Sequence, residues 1–289
     1  GLNDNLTQRL LVLAEAELGP PPVPYAWIVF GSEGRMEQTL LTDQDNALLY
    51  AEETPEAEAY FRQLAQRVVQ QLIQAGFPPC SGGYSADHWH RPLGAWLGLF
   101  KDWIETPKPQ ALLEASIFFD FRKVYGDLDL APLERLVAGS AGRPIFLAHM
   151  ARTATTWRPP LGFLRRIRAE QGQVDLKRSG IGPIVAMARV YALEAGVDLR
   201  PTLERLEAAR SAGIVSQEGA ETLAEAFRFL LRLRLDAQLT ALEAGEKPSN
   251  AVVLDELPTL DRSYLKESFL AIRDMQDALA LRYRTDMLG

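Results

Sequence analysis

Two carboxylates near the start of the chain have the spacing of a divalent-cation site. Asp43 and Asp45 are two residues apart and precede the apolar run Asn46 to Tyr50, which predicts a strand. Because side chains alternate along an extended segment, both carboxylates point to the same side. Hard cations such as Mg²⁺ or Mn²⁺ bind oxygen ligands grouped in this way. The alternative is that the pair only solvates the entry to a strand.

A third carboxylate, Asp120, interrupts the apolar run Ala115 to Arg122, which the composition predicts as a strand. Burying an unpaired carboxylate there is costly, so Asp120 needs a cation or hydrogen-bond partners. On a strand beside Asp43 and Asp45 it would complete a two-metal site and would orient or deprotonate an attacking hydroxyl. The alternative is a structural ion pair with Arg122, since residues two apart on a strand share a face.

A Gly-Ser turn, Gly31 and Ser32, follows a further strand-like run, Ala26 to Phe30. Glycine lets the backbone turn sharply, and the N–H groups that begin a following helix can approach phosphates closely. The turn and the Asp-x-Asp pair would therefore bring a phosphate cradle and a cation site to one edge of a sheet. Arg35 and Arg122 are near enough in sequence to the acids to bind phosphate oxygens, and a salt bridge explains them equally well.

The composition of the 289 residues indicates a globular protein with a net charge of −7 and a pI of about 5.2. This charge disfavours a nucleic-acid binder, which needs a basic surface. The single cysteine, Cys80, excludes an internal disulfide, and with only three histidines it disfavours a structural zinc site. Because no apolar run is long enough to span a membrane and no signal peptide is evident, we expect a cytoplasmic protein. The chain starts without Met, so we expect it to be part of a longer protein.

Residues 1–142 and 143–289 differ in pattern, which predicts two domains. The first combines strand-like runs with helix-like segments, including 2–18, 55–75 and 93–104, and predicts a small mixed sheet with helices. The second predicts an all-α helical bundle with helices over 145–158, 161–170, 181–196, 201–212, 216–244 and 263–287. We therefore expect an α+β fold, and the leucine-rich helical faces leave room for a homodimer.

A basic element, Lys177 and Arg178, precedes a glycine-rich helix start in the second half of the chain. Positive side chains beside the N-terminus of a helix favour phosphate binding, so either residue could approach a triphosphate. The alternative is a basic surface loop before a helix.

Several motifs together resemble those of one bacterial and archaeal protein family. They are Gly31-Ser32-Glu33-Gly34-Arg35, Glu37-Gln38-Thr39, Thr42-Asp43-Gln44-Asp45-Asn46-Ala47 and Phe119-Asp120-Phe121-Arg122-Lys123-Val124-Tyr125-Gly126-Asp127. Over essentially its whole length the chain is similar to a nucleotidyltransferase family of the DNA polymerase beta superfamily, related to the PII uridylyltransferase and the glutamine-synthetase adenylyltransferase. Lys177-Arg178 resembles the basic element of this family. Family members often carry cyclic-nucleotide-binding and CBS domains upstream, which we expect here too, and a helical C-terminal domain labelled as substrate-binding.

The resemblance implies a reaction and a role for individual residues. Gly31 and Ser32 would hold the β- and γ-phosphates of ATP or UTP, and Asp43, Asp45 and Asp120 would be the catalytic acids that bind Mg²⁺ or Mn²⁺. The acceptor hydroxyl would attack the α-phosphorus in line, and pyrophosphate would leave. The acceptor would belong to a protein, such as a PII-like regulator, or to a small molecule.

Two functions stay open at this point. The first is an active, metal-dependent nucleotidyltransferase similar to [protein-PII] uridylyltransferase, which the three acids in the motifs favour. The second is a nucleotide-sensing or partner-binding module of a signal-transduction protein with little turnover. The association of the family with regulatory domains motivates this alternative.

Overall fold

The structure is a computed structural model that describes residues 1–40, 43–80, 82–162 and 165–288. Leu41 and Thr42, next to the Asp-x-Asp pair, lie outside the described residues, as does Ser81 in the following loop. The chain divides into two compact units. The first comprises Gly1–Gln38 and Thr42–Val137, and the second comprises Thr39–Leu41 and Ala138–Gly289.

The first unit combines a small mixed sheet with helices, as an α+β fold requires. Its elements are α1 (Leu2–Leu18), β1 (Tyr25–Val29), α2 (Gly31–Gly34), β2 (Asn46–Tyr50), α3 (Pro55–Gln74), β3 (His90–Pro92), α4 (Leu93–Glu105), α5 (Pro109–Phe118), β4 (Arg122–Tyr125) and α6 (Ala131–Ala138). Among the described residues the strand order is β3-β2-β1-β4. β1 is antiparallel to both β2 and β4, whereas β2 and β3 are parallel.

The strand registers bring the starts of β2 and β4 to the end of β1. Val29, the last residue of β1, is paired with Asn46 on one side and with Arg122 on the other. Asp45 directly precedes β2, and Asp120 lies two residues before β4. The backbones that carry both acids therefore lie at one edge of the sheet, on either side of the segment that follows β1.

The core of the first unit anchors this edge. All residues of β1 and β2 are buried, and Trp27 packs in one cluster with Leu11 of α1 and Phe61 of α3. Burial of each large apolar side chain contributes about 1.5–3 kcal/mol. Thr54 caps the N-terminus of α3, and its hydroxyl accepts a hydrogen bond from the Ala57 N–H at 3.1 Å. Strands that are held this firmly fix the position of the loops at their ends.

The segment before Asp120 is helical, so the prediction of a strand over Ala115 to Arg122 is wrong in its first half. Ala115 to Phe118 end α5, Asp120 lies in a turn, and β4 begins at Arg122. The Phe118 ring packs against Trp96 and Trp103 of α4, with centroids 5.2 and 5.5 Å apart. A short apolar run suits a buried helix as well as a buried strand, and hydrophobic periodicity does not separate the two.

The second unit is mainly helical, as predicted, and the structure adds a two-stranded ladder. Its longer helices are α7 (Pro144–Ala154), α8 (Gly182–Ala195), α9 (Thr202–Ser211), α10 (Gln217–Glu243) and α11 (Thr259–Arg282). Its antiparallel strands are β5 (Gln173–Asp175) and β6 (Ala251–Val253), and its short elements are the 3₁₀ helices Gly139–Gly142, Leu254–Glu256 and Thr285–Met287 and the π-helical turn Lys177–Ile181. In the part of the chain that the structure describes, no helix has the length and apolar character needed to cross a membrane.

The helix predicted over residues 161–170 is wrong for the residues that the structure describes; residues 163 and 164 lie outside them. Leu161 and Ile167 form an isolated antiparallel bridge. Arg165 has a φ of 57°, which is outside the right-handed helical region. The Gly162 N–H donates to the Arg166 carbonyl at 2.8 Å and the Arg168 N–H donates to the Pro160 carbonyl at 2.7 Å, so these backbone groups close a turn and do not enter a helical ladder.

Candidate active site

The Asp-x-Asp pair lies in an extended segment just before β2. The Phe30 N–H donates a hydrogen bond to the Asp45 carbonyl at 3.1 Å, which continues the β1–β2 pairing by one residue. Between the two acids, Gln44 is almost fully buried and forms a parallel bridge with Pro79. This pairing holds the segment extended, so Asp43 and Asp45 project on the side opposite to Gln44.

A third potential metal ligand beside this pair is the thiol of Cys80. The Cys80 sulfur and one oxygen each of Asp43 and Asp45 lie within 4.8 Å of one another, and all three residues are half-buried. From the sequence, Cys80 excluded a disulfide and disfavoured a structural zinc site, and it was not predicted as a site residue. The signal that could have found it is the loop Pro78 to Gly83, whose proline and glycine content predicts a sharp turn.

The Gly-Ser turn packs directly on Asp45. Gly31 has a φ of 58°, and a Cβ placed there would lie 2.8 Å from Asp45 Oδ2. Glycine is therefore required both by the backbone conformation and by the close approach of the carboxylate. The first intrahelical hydrogen bond of α2 is donated by the Gly34 N–H to the Phe30 carbonyl, so the N–H groups of Gly31 and Ser32 precede the helical ladder.

Asp120 is held by an arginine and does not belong to the group formed by Asp43, Asp45 and Cys80. Its carboxylate accepts a hydrogen bond from Arg35 Nη1 at 2.5 Å, and Arg35 Nε donates to Glu37 at 2.8 Å. Its backbone also lies against the Gly-Ser segment, since a Cβ on Gly34 would be 2.0 Å from the Asp120 carbonyl oxygen. The structure thus brings Asp120 to the turn through its backbone and through Arg35. Its role as a third metal ligand stays a prediction.

The second predicted phosphate ligand of this unit, Arg122, also makes an ion pair. Its guanidinium binds both carboxylate oxygens of Asp4, at 2.9 and 3.1 Å, and donates to the Glu33 carbonyl at 3.2 Å. It therefore joins β4, α1 and the Gly-Ser turn. The sequence alternative paired Asp120 with Arg122; in the structure Arg35 binds Asp120 and Arg122 binds Asp4. The assignment of both arginines as phosphate ligands stays a prediction.

Burial and neighbouring charges shift the pKa values of several groups around the turn. Burial, with a smaller contribution from the charge of Asp4, raises the pKa of the Glu33 carboxyl to about 7. Burial and the Asp45 carboxylate raise the pKa of the Cys80 thiol to about 11. For Arg35 burial acts to lower the pKa, but the carboxylates of Asp120 and Glu37 outweigh it, so the pKa is raised. Arg35 is therefore a permanent cation.

The donor set of the Asp pair fits the cation that the motifs predict. Proteins usually bind Mg²⁺ through one or two carboxylates, and substrate phosphates and water fill its remaining positions. Asp43 and Asp45 supply two such carboxylates within ligand distance of each other. The thiol of Cys80 is a poor ligand for this hard ion. Mg²⁺ or Mn²⁺ would therefore be held by the two aspartates.

The predicted basic element lies in the second unit, where Lys177 and Arg178 are exposed in the π-helical turn before α8. The Arg178 guanidinium lies over the Trp157 ring, 4.8 Å from its centroid. Arg178 and Trp157 line a cavity of about 600 Å³ together with Arg158, Arg168, Glu170 and Asp175. Guanidinium groups beside an exposed indole ring can bind an anionic ligand and stack on a planar one.

Two family models match the chain. One, described as "Putative nucleotidyltransferase DUF294", matches residues 1–110, and the other, described as "Putative nucleotidyltransferase substrate binding domain", matches residues 144–283. The first match contains Asp43, Asp45 and Cys80, the second contains Arg178, and Asp120 lies between the two. A search of curated proteins finds no match to the chain.

Proposed function

Because the chain belongs to the nucleotidyltransferase family that these two models describe, we propose that it transfers UMP or AMP from a nucleoside triphosphate to a hydroxyl group. The acceptor is a protein, such as a PII-like regulator, or a small molecule, and pyrophosphate is released. The observation that carries this proposal is the Asp43–Asp45 pair at the sheet edge, packed against the turn at Gly31.

The predicted metal and phosphate ligands of the first unit each have a defined task in this reaction. Asp43 and Asp45 would hold Mg²⁺ or Mn²⁺ at the sheet edge. The ion would supply positive charge that neutralises the triphosphate and polarises the α-phosphorus. The N–H groups of Gly31 and Ser32 donate to the β- and γ-phosphates, since a glycine without a Cβ lets the phosphates approach the backbone. The displacement then needs no covalent intermediate with the protein.

The second unit has a cavity that would bind an anionic ligand by itself. Arg178 and Arg168 line the same cavity as Trp157, which supports a site for phosphate groups attached to a flat ring. Lys177, which precedes Arg178 in the chain, is exposed and adds a further positive charge to this segment. We include Lys177 and Arg178 as nucleotide-binding residues on this basis.

The ion pair of Asp120 favours the second candidate function, a nucleotide-sensing or partner-binding module. To act as a third acid, Asp120 would have to share its carboxylate between Arg35 and a cation or the acceptor hydroxyl, or lose Arg35 in exchange. Loss of one partner of a buried ion pair costs about 3–5 kcal/mol, so the loss of Arg35 from Asp120 would be unfavourable. A protein that leaves the pair intact would bind nucleotide without efficient transfer.

Replacing both Asp43 and Asp45 by Asn tests the proposed reaction. We expect the double variant to lose Mn²⁺ binding and pyrophosphate release, because the neutral amides cannot hold the ion. A matched control is Glu52→Gln with Glu53→Gln, which removes the same charge at two exposed positions. Calorimetry would measure Mn²⁺ binding, and a phosphate-release assay coupled to pyrophosphatase would measure turnover.

The two candidate functions are separated by transfer of a labelled α-phosphate. The full chain would be incubated with ATP, UTP, CTP or GTP and a cell extract. A labelled product that disappears in the Asp43/Asp45 variant supports the enzyme. Nucleotide binding without any labelled product supports the binding module. Unchanged Mn²⁺ binding in the double variant would remove the proposed metal site from both.

A further inference from the structure

The thiol of Cys80 stands where a third metal ligand would stand. Its sulfur lies within 4.8 Å of oxygens of both Asp43 and Asp45. In a tetrahedral zinc site, bonds of about 2.0–2.3 Å place the ligand atoms roughly 3.5 Å apart. The three donors are therefore close enough to converge on one ion after side-chain movements of about 1 Å.

Backbone pairing holds the Cys80 loop beside the two acids. The Gln44 N–H donates to the Pro78 carbonyl at 3.2 Å, and Gln44 and Pro79 form a parallel bridge. On the other side of Cys80, the Asn46 N–H donates to the Tyr84 carbonyl at 3.2 Å. The segment that carries Asp43 and Asp45 is thus joined to the chain both before and after Cys80.

Backbone contacts also hold the sulfur itself in place. Backbone N–H groups of Tyr84 and Gly82 are hydrogen-bonded to the Cys80 thiol. A thiol that coordinates a metal gives up its proton to solvent when the ion binds. The loop therefore fixes the position of a third ligand beside the two acids.

We propose that Asp43, Asp45 and Cys80 form a three-ligand site for a divalent ion that favours sulfur, such as Zn²⁺. This inference rests on the two carboxylates of the proposed function and adds the thiol. Mg²⁺ prefers oxygen ligands and would use the aspartates alone, whereas thiolates select ions such as Zn²⁺. Because both ions need the same carboxylates, Zn²⁺ displaces Mg²⁺ and inhibits nucleotidyl transfer.

Cobalt spectroscopy of the full chain tests the assignment directly. Cys80 is the single cysteine of the sequence, so a sulfur-to-cobalt charge-transfer band in the near ultraviolet reports on this residue alone. We expect reduced wild-type protein to develop the band as Co²⁺ is added, and Cys80→Ser to bind Co²⁺ without it. Saturation of the wild-type protein with Co²⁺ without such a band would overturn the proposal, and this outcome does not depend on any variant.

Ion affinities provide the second readout. Cys80→Ser should weaken Zn²⁺ binding by roughly 10- to 100-fold or more, since loss of even an outer-shell partner has an effect of this size. Its Mn²⁺ affinity should equal that of the wild type, because Mn²⁺ uses the aspartates. His88→Ala is the control, since His88 is an exposed imidazole beside Asp87 that could hold Zn²⁺ adventitiously. Equal losses of Zn²⁺ and Mn²⁺ affinity in Cys80→Ser would contradict a ligand role.

The proposed reaction and the three-ligand site fail in different ways. The cobalt spectrum is recorded without nucleotide, so a chain that transfers no nucleotide still shows the band if Cys80 is a ligand. A chain that transfers nucleotide but shows no band keeps the Asp43–Asp45 site and loses the thiol. If the chain both transfers nucleotide and shows the cobalt band, Zn²⁺ should inhibit the wild type at concentrations that leave Cys80→Ser active.

Discussion

Replacing Gly31 by alanine should damage the cation site from a position that is not itself a ligand. The new Cβ would lie 2.8 Å from Asp45 Oδ2, whereas ordinary van der Waals contact begins at 3.4 Å. The carboxylate oxygen must therefore move by about 0.6 Å, or the turn must move away from it. Either movement changes the position of the Asp45 carboxylate or of the turn that packs against it.

This displacement is large for a metal ligand. Metal–ligand distances hold within about 0.2 Å, and the new Cβ would occupy the space beside Asp45 Oδ2 that the carboxylate needs to adjust to an ion. We expect Mn²⁺ affinity to fall by roughly 10- to 100-fold, the range seen when a supporting group of a metal site is lost. The φ of 58° adds a second cost, because a left-handed conformation destabilises the folded state by about 1–2 kcal/mol for alanine.

A matched glycine separates the two costs. Gly245 has a φ of 73° and would have no heavy atom within 4 Å of an added Cβ, so Gly245→Ala carries only the conformational penalty. Both variants should lose similar stability in urea unfolding, and only Gly31→Ala should lose Mn²⁺ affinity in calorimetry. Wild-type Mn²⁺ affinity in Gly31→Ala would refute the close packing of the turn on Asp45.

Two further predictions concern charges beside the turn. The Glu33 carboxyl, with its pKa raised from 4.5 to about 7, keeps a proton in the folded state that the unfolded chain releases, so stability falls as the pH rises through this window. Glu33→Gln removes a penalty of at most about 3 kcal/mol at pH 8 and little at pH 4, and equal gains in urea unfolding at both values would contradict this. Arg35→Ala should cost about 3–5 kcal/mol because it leaves buried Asp120 without this cation. Arg62→Ala, from an exposed pair with Glu58, should cost less than about 1 kcal/mol in the same assay, and similar losses would refute the difference.

The sheet edge was predictable because its signals are local in sequence. The apolar runs that became β1 and β2 are each bounded by polar or turn-forming residues, and both strands form where the pattern predicts them. The Gly-Ser turn follows from the need for a positive φ, which Gly31 adopts. The grouping of Asp43 with Asp45 needs only an extended backbone between them. No long-range information enters these three steps.

The contacts of Asp120 and Cys80 could not be predicted because they depend on distant parts of the chain. Asp120 was expected on a strand, but the aromatic rings of α4 and α5 pack as two helices, and the acid falls in the turn that follows. Cys80 reaches the acids through the bridge between Gln44 and Pro79, 35 positions apart in the sequence. Neither composition nor hydrophobic periodicity predicts which loop will form a short β-bridge with a given segment.

The two arginines of the sequence motifs, Arg35 and Arg122, explain why a bound cation matters for the proposed function. Arg35 pairs with Asp120, 85 residues away, and Arg122 pairs with Asp4, 118 residues away, so both charges are used to hold the turn to the rest of the sheet. The guanidinium groups of both motif arginines are thus already bound to carboxylates of the first unit. A triphosphate that approaches Asp43 and Asp45 brings further negative charge into this edge of an acidic chain. A divalent ion held by the two aspartates offsets that repulsion without breaking either ion pair, which is why nucleotide binding is expected to require the metal.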